Sequence, residues 1–184
     1  KILDLTTGKE TLTFNAPEPI EGAVDVSVLA SGPRLTTVSP NKELIVWDAT
    51  SGKKFTTLPE FPGTVMVVSF SPDGSQMVVI LEENSTATLW DLATGKKLFD
   101  LAGHTQPLYN AAFSLDGKRL VTVGKDGNAI VWDVQTGKRL LLILTGHSSS
   151  INVAVFSRDE TRLATGGYDG AVKVWDVSAG STTG

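Results

Sequence analysis

Trp-Asp occurs four times in this chain, at 47, 90, 132 and 175, so the pairs fall 43, 42 and 43 residues apart. Each closes an alternating apolar run: "NKELIVWDATSG" (41–52), "NSTATLWDLATG" (84–95), "DGNAIVWDVQTG" (126–137) and "DGAVKVWDVSAG" (169–180). A worn copy, Leu3-Asp4, stands 44 residues before the first. A fixed period of this length means stacked supersecondary units, because one such unit cannot bury its apolar faces alone. Counted from pair to pair, the repeats run approximately 5–48, 49–91, 92–133 and 134–176.

Each unit reads as four short strands. In the third, "LYNAAFS" (108–114), "RLVTVG" (119–124), "AIVWDV" (129–134) and "RLLLIL" (139–144) alternate with turns. The Asp-Gly pairs at 116–117 and 126–127 mark tight reversals, since glycine accepts positive φ without steric cost. No helical period runs long enough to compete. Units one to three supply four strands each. The fourth supplies three and then "SAGSTTG", while "KETLTF" (9–14) is a spare strand near the start.

Composition narrows the function classes. The 184 residues are 41% hydrophobic and 20% charged, ordinary for a soluble globular chain. No apolar run approaches the roughly 20 residues that span a bilayer, and "KILDLTTGKE" has no signal-peptide core. No membrane partner is expected, and the expected location is cytoplasmic. The absence of cysteine excludes disulfides and thiolate chemistry. Net charge is −4, so no concentrated positive field exists for a phosphate backbone, and no nucleic-acid partner is expected.

The Gly-His, Asp-Gly and Trp-Asp signals at this period resemble WD40 repeats, and specifically the bacterial type with its W-D-x-x-T-G-K turns. The resemblance covers essentially the whole chain. It implies an all-β fold of WD40 β-propeller blades, four four-stranded antiparallel sheets. Rings of this family hold about seven blades, which favours four units as part of a larger ring. Two copies making eight blades, with self-association, and closure by four blades alone stay open.

The resemblance also implies a structural hydrogen-bond chain of His, Ser/Thr, Asp and Trp in each blade. The matching residues are His104, Thr122, Asp126 and Trp132 in unit three, and His147, Thr165, Asp169 and Trp175 in unit four. His to Asp is 22 residues and Asp to Trp is 6 in both. The physical need is satisfaction of a buried indole N–H, a hydroxyl and an imidazole in one series. Unit one keeps Thr37 and Trp47 but has Pro19 for His and Asn41 for Asp. Unit two keeps Trp90, with Phe61 for His, Asn84 for Asp and aliphatics ("MVVIL") where Thr would stand. Apolar packing is expected to replace the polar chain there, and units one and two are expected to be the less regular.

Sharper chemistries fit poorly. Thr, His and Asp in one unit suggest a hydrolase, but the set ends on an indole each time and no G-x-S-x-G exists. His104 and His147 have no companion ligands, so no metal site or cofactor is expected. "TGKK" and "TGKR" lack the spacing of a phosphate loop, and "NST" (84–86) matters only in a secreted chain.

In the resembled family partner contacts come from one rim, three and five residues after the structural His and one before the structural Asp. Those positions are Ser150, Asn152 and Tyr168 in unit four, and Pro107, Tyr109 and Lys125 in unit three. Unit two contributes Thr64, Met66 and Glu83, and unit one Gly22, Val24 and Pro40. Both of the chain's tyrosines fall in this set. Tyrosine joins a large apolar face to a polar tip and is enriched at binding hot spots. The expected function is a non-catalytic scaffold or regulatory sensor that binds protein or peptide. A purely structural segment of a larger signalling kinase or NTPase is the alternative, and a propeller enzyme comes last.

Overall fold

The computed structural model describes residues 2–3, 10–12, 22–29, 32–144 and 146–178. The chain forms two compact bodies, residues 1–62 and 63–184. Every regular element among the described residues is a strand.

In the first body, β1 (Ile2–Leu3) pairs antiparallel with β2 (Glu10–Leu12), so the described part of "KETLTF" is bonded to β1. A four-stranded antiparallel sheet follows in simple chain order: β3 (Gly22–Leu29), β4 (Gly32–Val38), β5 (Leu44–Asp48) and β6 (Lys54–Leu58).

The second body holds three such sheets. One comprises β7 (Val65–Phe70), β8 (Gln76–Leu81), β9 (Thr86–Asp91) and β10 (Lys96–Ala102). The next comprises β11 (Leu108–Phe113), β12 (Arg119–Gly124), β13 (Asn128–Asp133) and β14 (Arg139–Leu144). The last has three strands among the described residues, β15 (Ile151–Phe156), β16 (Arg162–Gly167) and β17 (Val172–Asp176); residues 179–184 lie outside them. Four strands per unit therefore hold in three units. A repeat counted from Trp-Asp to Trp-Asp is offset by one strand from the sheet, because β13 stops at Asp133 and β14, the last strand of the same sheet, comes after it.

The central strands of the second and third sheets are covered on both faces, which is why they read as continuous apolar runs rather than clean alternation. Four successive residues of β8, Met77 to Ile80, are buried. Val78, Ile80 and Leu89 of the second sheet share one core with Leu108, Leu120 and Trp132 of the third. Val121, Val123 and Val131 of the third share another with Ile151, Ala154 and Leu163 of the fourth. Burying a side chain such as Leu120 contributes roughly 1.5–3 kcal/mol.

Aspartate-anchored turns close the hairpins. Asp133 accepts the Thr136 amide at 2.7 Å and the Thr136 hydroxyl at 2.6 Å, and Asp91 treats Thr94 in the same way. Gly137 follows at φ 68°, and a Cβ there would lie 2.4 Å from Phe99 Cγ, so both conformation and space demand glycine. At the inner hairpins Ser71, Ser114 and Ser157 donate to Asp73, Asp116 and Asp159 at 2.6–2.7 Å.

The third and fourth sheets are latched beyond their shared core. Glu160 stands where Gly74 and Gly117 stand in the preceding units, at φ 60°. Its Oε1 accepts the Asp116 amide at 2.6 Å. Arg119 donates to the carbonyls of Glu160 at 2.6 Å and Val177 at 2.9 Å, and its guanidinium lies 5.1 Å from the Phe156 ring centre.

Candidate functional site

The polar residues of the third sheet form one relay. The Trp132 indole donates to Thr122 Oγ1 at 2.8 Å. His104 Nε2 lies 2.9 Å from the same oxygen, and His104 Nδ1 lies 2.9 Å and 3.0 Å from the two Asp126 oxygens. An indole only donates and an ionised carboxylate only accepts. The chain of roles thus assigns the hydroxyl proton to Nε2 and the imidazole proton to Nδ1. Asp126 also accepts the amides of Thr105 at 3.1 Å and Asn128 at 3.1 Å. The fourth sheet repeats the pattern: Trp175 to Thr165 at 3.0 Å, Thr165 to His147 Nε2 at 3.0 Å, and His147 Nδ1 to Asp169 at 2.9 Å.

Both imidazoles are fully enclosed, with both ring nitrogens occupied. Such a relay ties two hairpins and the loop before the innermost strand to one indole, and it leaves no nitrogen for substrate. Burial works to raise the Asp126 carboxyl, but the Thr105 amide, His104 and the Asn128 amide outweigh it and hold the group below its usual 3.8. In Asp169 the Ala171 amide has the largest influence, burial opposes it, and His147 and the Ser148 amide add to it, giving a pKa of about 2.

The first two units differ from this and from each other. In the first sheet Trp47 donates to Thr37 at 2.7 Å. Pro19 lies outside the described residues, and Asn41 is exposed. In the second sheet Val79 occupies the strand position that Thr122 holds in the third, and Phe61 is buried. The polar contact is nonetheless not lost, which corrects the expectation of purely apolar packing. Thr88, directly across the ladder from Val79, accepts the Trp90 indole at 2.9 Å and donates to the Val79 carbonyl at 3.3 Å. The hydroxyl has moved one strand outward. "TLW" in the sequence carries this signal, since a threonine two residues before a tryptophan lies on the same side of a strand.

Within each sheet the rim positions lie at the start of the first strand or just after the second. Each innermost strand has a register slip, between Ala23 and Asp25, Val65 and Val67, Leu108 and Asn110, and Ile151 and Val153. Val24, Met66, Tyr109 and Asn152 are the residues left out of the ladder. Bulges of this kind re-aim a side chain, and spacing alone does not reveal them. A second rim position is bonded back to the start of the same strand: Tyr168 N–H to the Ser150 carbonyl at 2.9 Å, and Lys125 N–H to that of Pro107 at 2.8 Å. In the second sheet Glu82, not Glu83, makes this bond, to Thr64 at 2.8 Å. Glu83 is the extra residue of a longer hairpin, at φ 56°. Met66 is 42% exposed and Tyr168 72% exposed, while Tyr109 is partly buried. The Asn152 side-chain oxygen is buried without a hydrogen-bond partner. Two clefts, of about 380 and 640 Å³, open at the opposite ends of these strands, by the Ser-x-Asp turns.

Antiparallel blades braced through an indole and presenting a bulged rim define a repeat protein of the propeller-blade class. The family model described as WD domain, G-beta repeat matches residues 95–133 and 138–176, the stretches around both complete relays. Residues 95–133 and 138–176 are WD40 repeats. A comparison with curated proteins finds no match.

Proposed function

We propose that the chain is a non-catalytic interaction scaffold that binds protein or peptide through the bulged rim of its innermost strands. WD40 repeats in general mediate protein interactions, and that supports the class of function. One observation carries the choice of surface: each innermost strand of the second body breaks its ladder at the rim residue, Met66, Tyr109 or Asn152. A bulge forgoes ladder bonds, and its gain is a redirected side chain. Beside these stand the bonded positions Glu82, Lys125 and Tyr168, so the rim mixes apolar area with both signs of charge. Such a surface suits an extended peptide with an aromatic or aliphatic anchor.

The experiment is to pan a random peptide library against the chain and measure the selected peptides by fluorescence anisotropy. Tyr109→Ala with Tyr168→Ala is expected to weaken them at least about tenfold, the loss of about 1.4 kcal/mol that one hot-spot residue exceeds. Unchanged affinity would move the binding surface elsewhere.

A further inference from the structure

A guanidinium fills the junction between the third and fourth sheets, and none fills the junction between the second and third. Arg119 stands opposite Asp133 in its own sheet. It donates to the carbonyls of Glu160 and Val177 in the next sheet at 2.6 and 2.9 Å, with Glu160 Oε2 3.6 Å away. In the second sheet the same place, opposite Asp91, is held by Gln76. The carbonyls it would have to reach are those of Gly117 and Val134, which follow Asp116 and Asp133 as Glu160 and Val177 follow Asp159 and Asp176. Among the described residues nothing donates to either carbonyl.

The cleft of about 380 Å³ stands in that place. Gln76, Gly117 and Val134 all line it. Pro72 and Leu115 give it an apolar wall, and Leu115 is 62% exposed. Its lining carries three carboxylates, Asp73, Asp116 and Asp133, against one ammonium, Lys118. The two sheets on either side share one core, so the cleft is an opening at the end of a closed junction.

We propose that this cleft is a docking site for an arginine side chain of a partner protein. The aliphatic stem lies on Pro72 and Leu115, as long cationic side chains cover apolar surface. The guanidinium donates to the Gly117 and Val134 carbonyls as Arg119 does to Glu160 and Val177. The negative lining attracts any cation, but only the planar fork of arginine presents several donors in fixed directions to two carbonyls. The site uses none of the rim residues and stands apart from the peptide-binding reading.

The test is a titration of the isotope-labelled 184-residue chain with N-acetyl-arginine methylamide, followed by amide NMR. At about 20 mM the compound saturates a site of roughly millimolar affinity. Saturable shifts are expected at residues 73–76, 115–118 and 133–135, with the amides of Tyr109 and Tyr168 unmoved. The lysine analogue should bind at least about threefold more weakly, because an ammonium is a point charge without the fork. Gln76→Arg supplies the guanidinium from within the chain and should abolish the shifts, whereas Gln76→Ala should keep them. Arginine already holds this place in the other three sheets, at Arg34, Arg119 and Arg162, so the fold accepts it. No saturable shift in the wild type, or shifts that persist in Gln76→Arg, would overturn the proposal. An equal response to the lysine analogue would overturn it too, since the carboxylates alone would then account for binding. Shifts of the same amides with protein concentration alone would put an arginine of a second copy in the cleft, and a separate partner would be wrong.

Discussion

The second and third sheets lie side by side in one body and solve the same problem differently. Each buries a tryptophan whose indole N–H needs an acceptor. The third supplies Thr122 from the neighbouring strand and extends the bond through His104 to Asp126. The second supplies Thr88 from the same strand and ends at the Val79 carbonyl. The common element is thus a satisfied indole, and the imidazole and carboxylate are an extension. That extension ties down the loop before the innermost strand, which is the rim. A short brace holds the sheet; a long one holds the sheet and the loop that leads into its first strand.

Removing one hydroxyl from each sheet puts the largest strain on this comparison. Thr122→Val leaves the Trp132 N–H and the His104 Nε2 without partners and is expected to cost about 2–4 kcal/mol. Thr88→Val orphans one N–H and is expected to cost about 1–2 kcal/mol. Urea unfolding midpoints at unchanged m-value measure both. Equal costs would mean that the imidazole and carboxylate add nothing to the third brace.

A smaller effect separates backbone strain from contact at the latch between the third and fourth sheets. Glu160→Ala keeps a left-handed residue and loses the bond to the Asp116 amide, for an expected cost of about 1 kcal/mol. Glu160→Gly loses the same bond but relieves about 1 kcal/mol of strain, so it should be near neutral. If glycine proved as costly as alanine, the carboxylate rather than the turn would dominate.

The least effect is expected from acid. The Asp169 carboxyl is held at about 2, below the unfolded value near 3.9, so its stabilisation is complete above that value and fades as pH falls from about 4 to about 2. Fluorescence of the four tryptophans during acid titration, in wild type and in Asp169→Asn, should differ above this window and converge below it. Parallel curves at every pH would leave Asp169 without a linked role.

Much of the fold is legible in the sequence because it is local. Trp-Asp spacing counts the units, Asp-Gly and Thr-Gly pairs place the reversals, and equal His-to-Asp intervals mark the two long relays. Glu82 in place of Glu83 was not legible, since an inserted hairpin residue shifts the register without changing the motif. Nor were the bulges at Met66, Tyr109 and Asn152, because one unpaired residue leaves no mark in an alternation that already runs apolar on both faces.

The amino-acid order by itself determined the strands, their turns and which side chains share a strand face, since these follow from a two-residue period and from glycine's conformational freedom. Only the tertiary structure decided which oxygen accepts the Trp90 indole and that Arg119 and Glu160 latch one sheet to the next. Those contacts join residues across a ladder or between sheets, where distance is set by register and packing and not by separation along the chain.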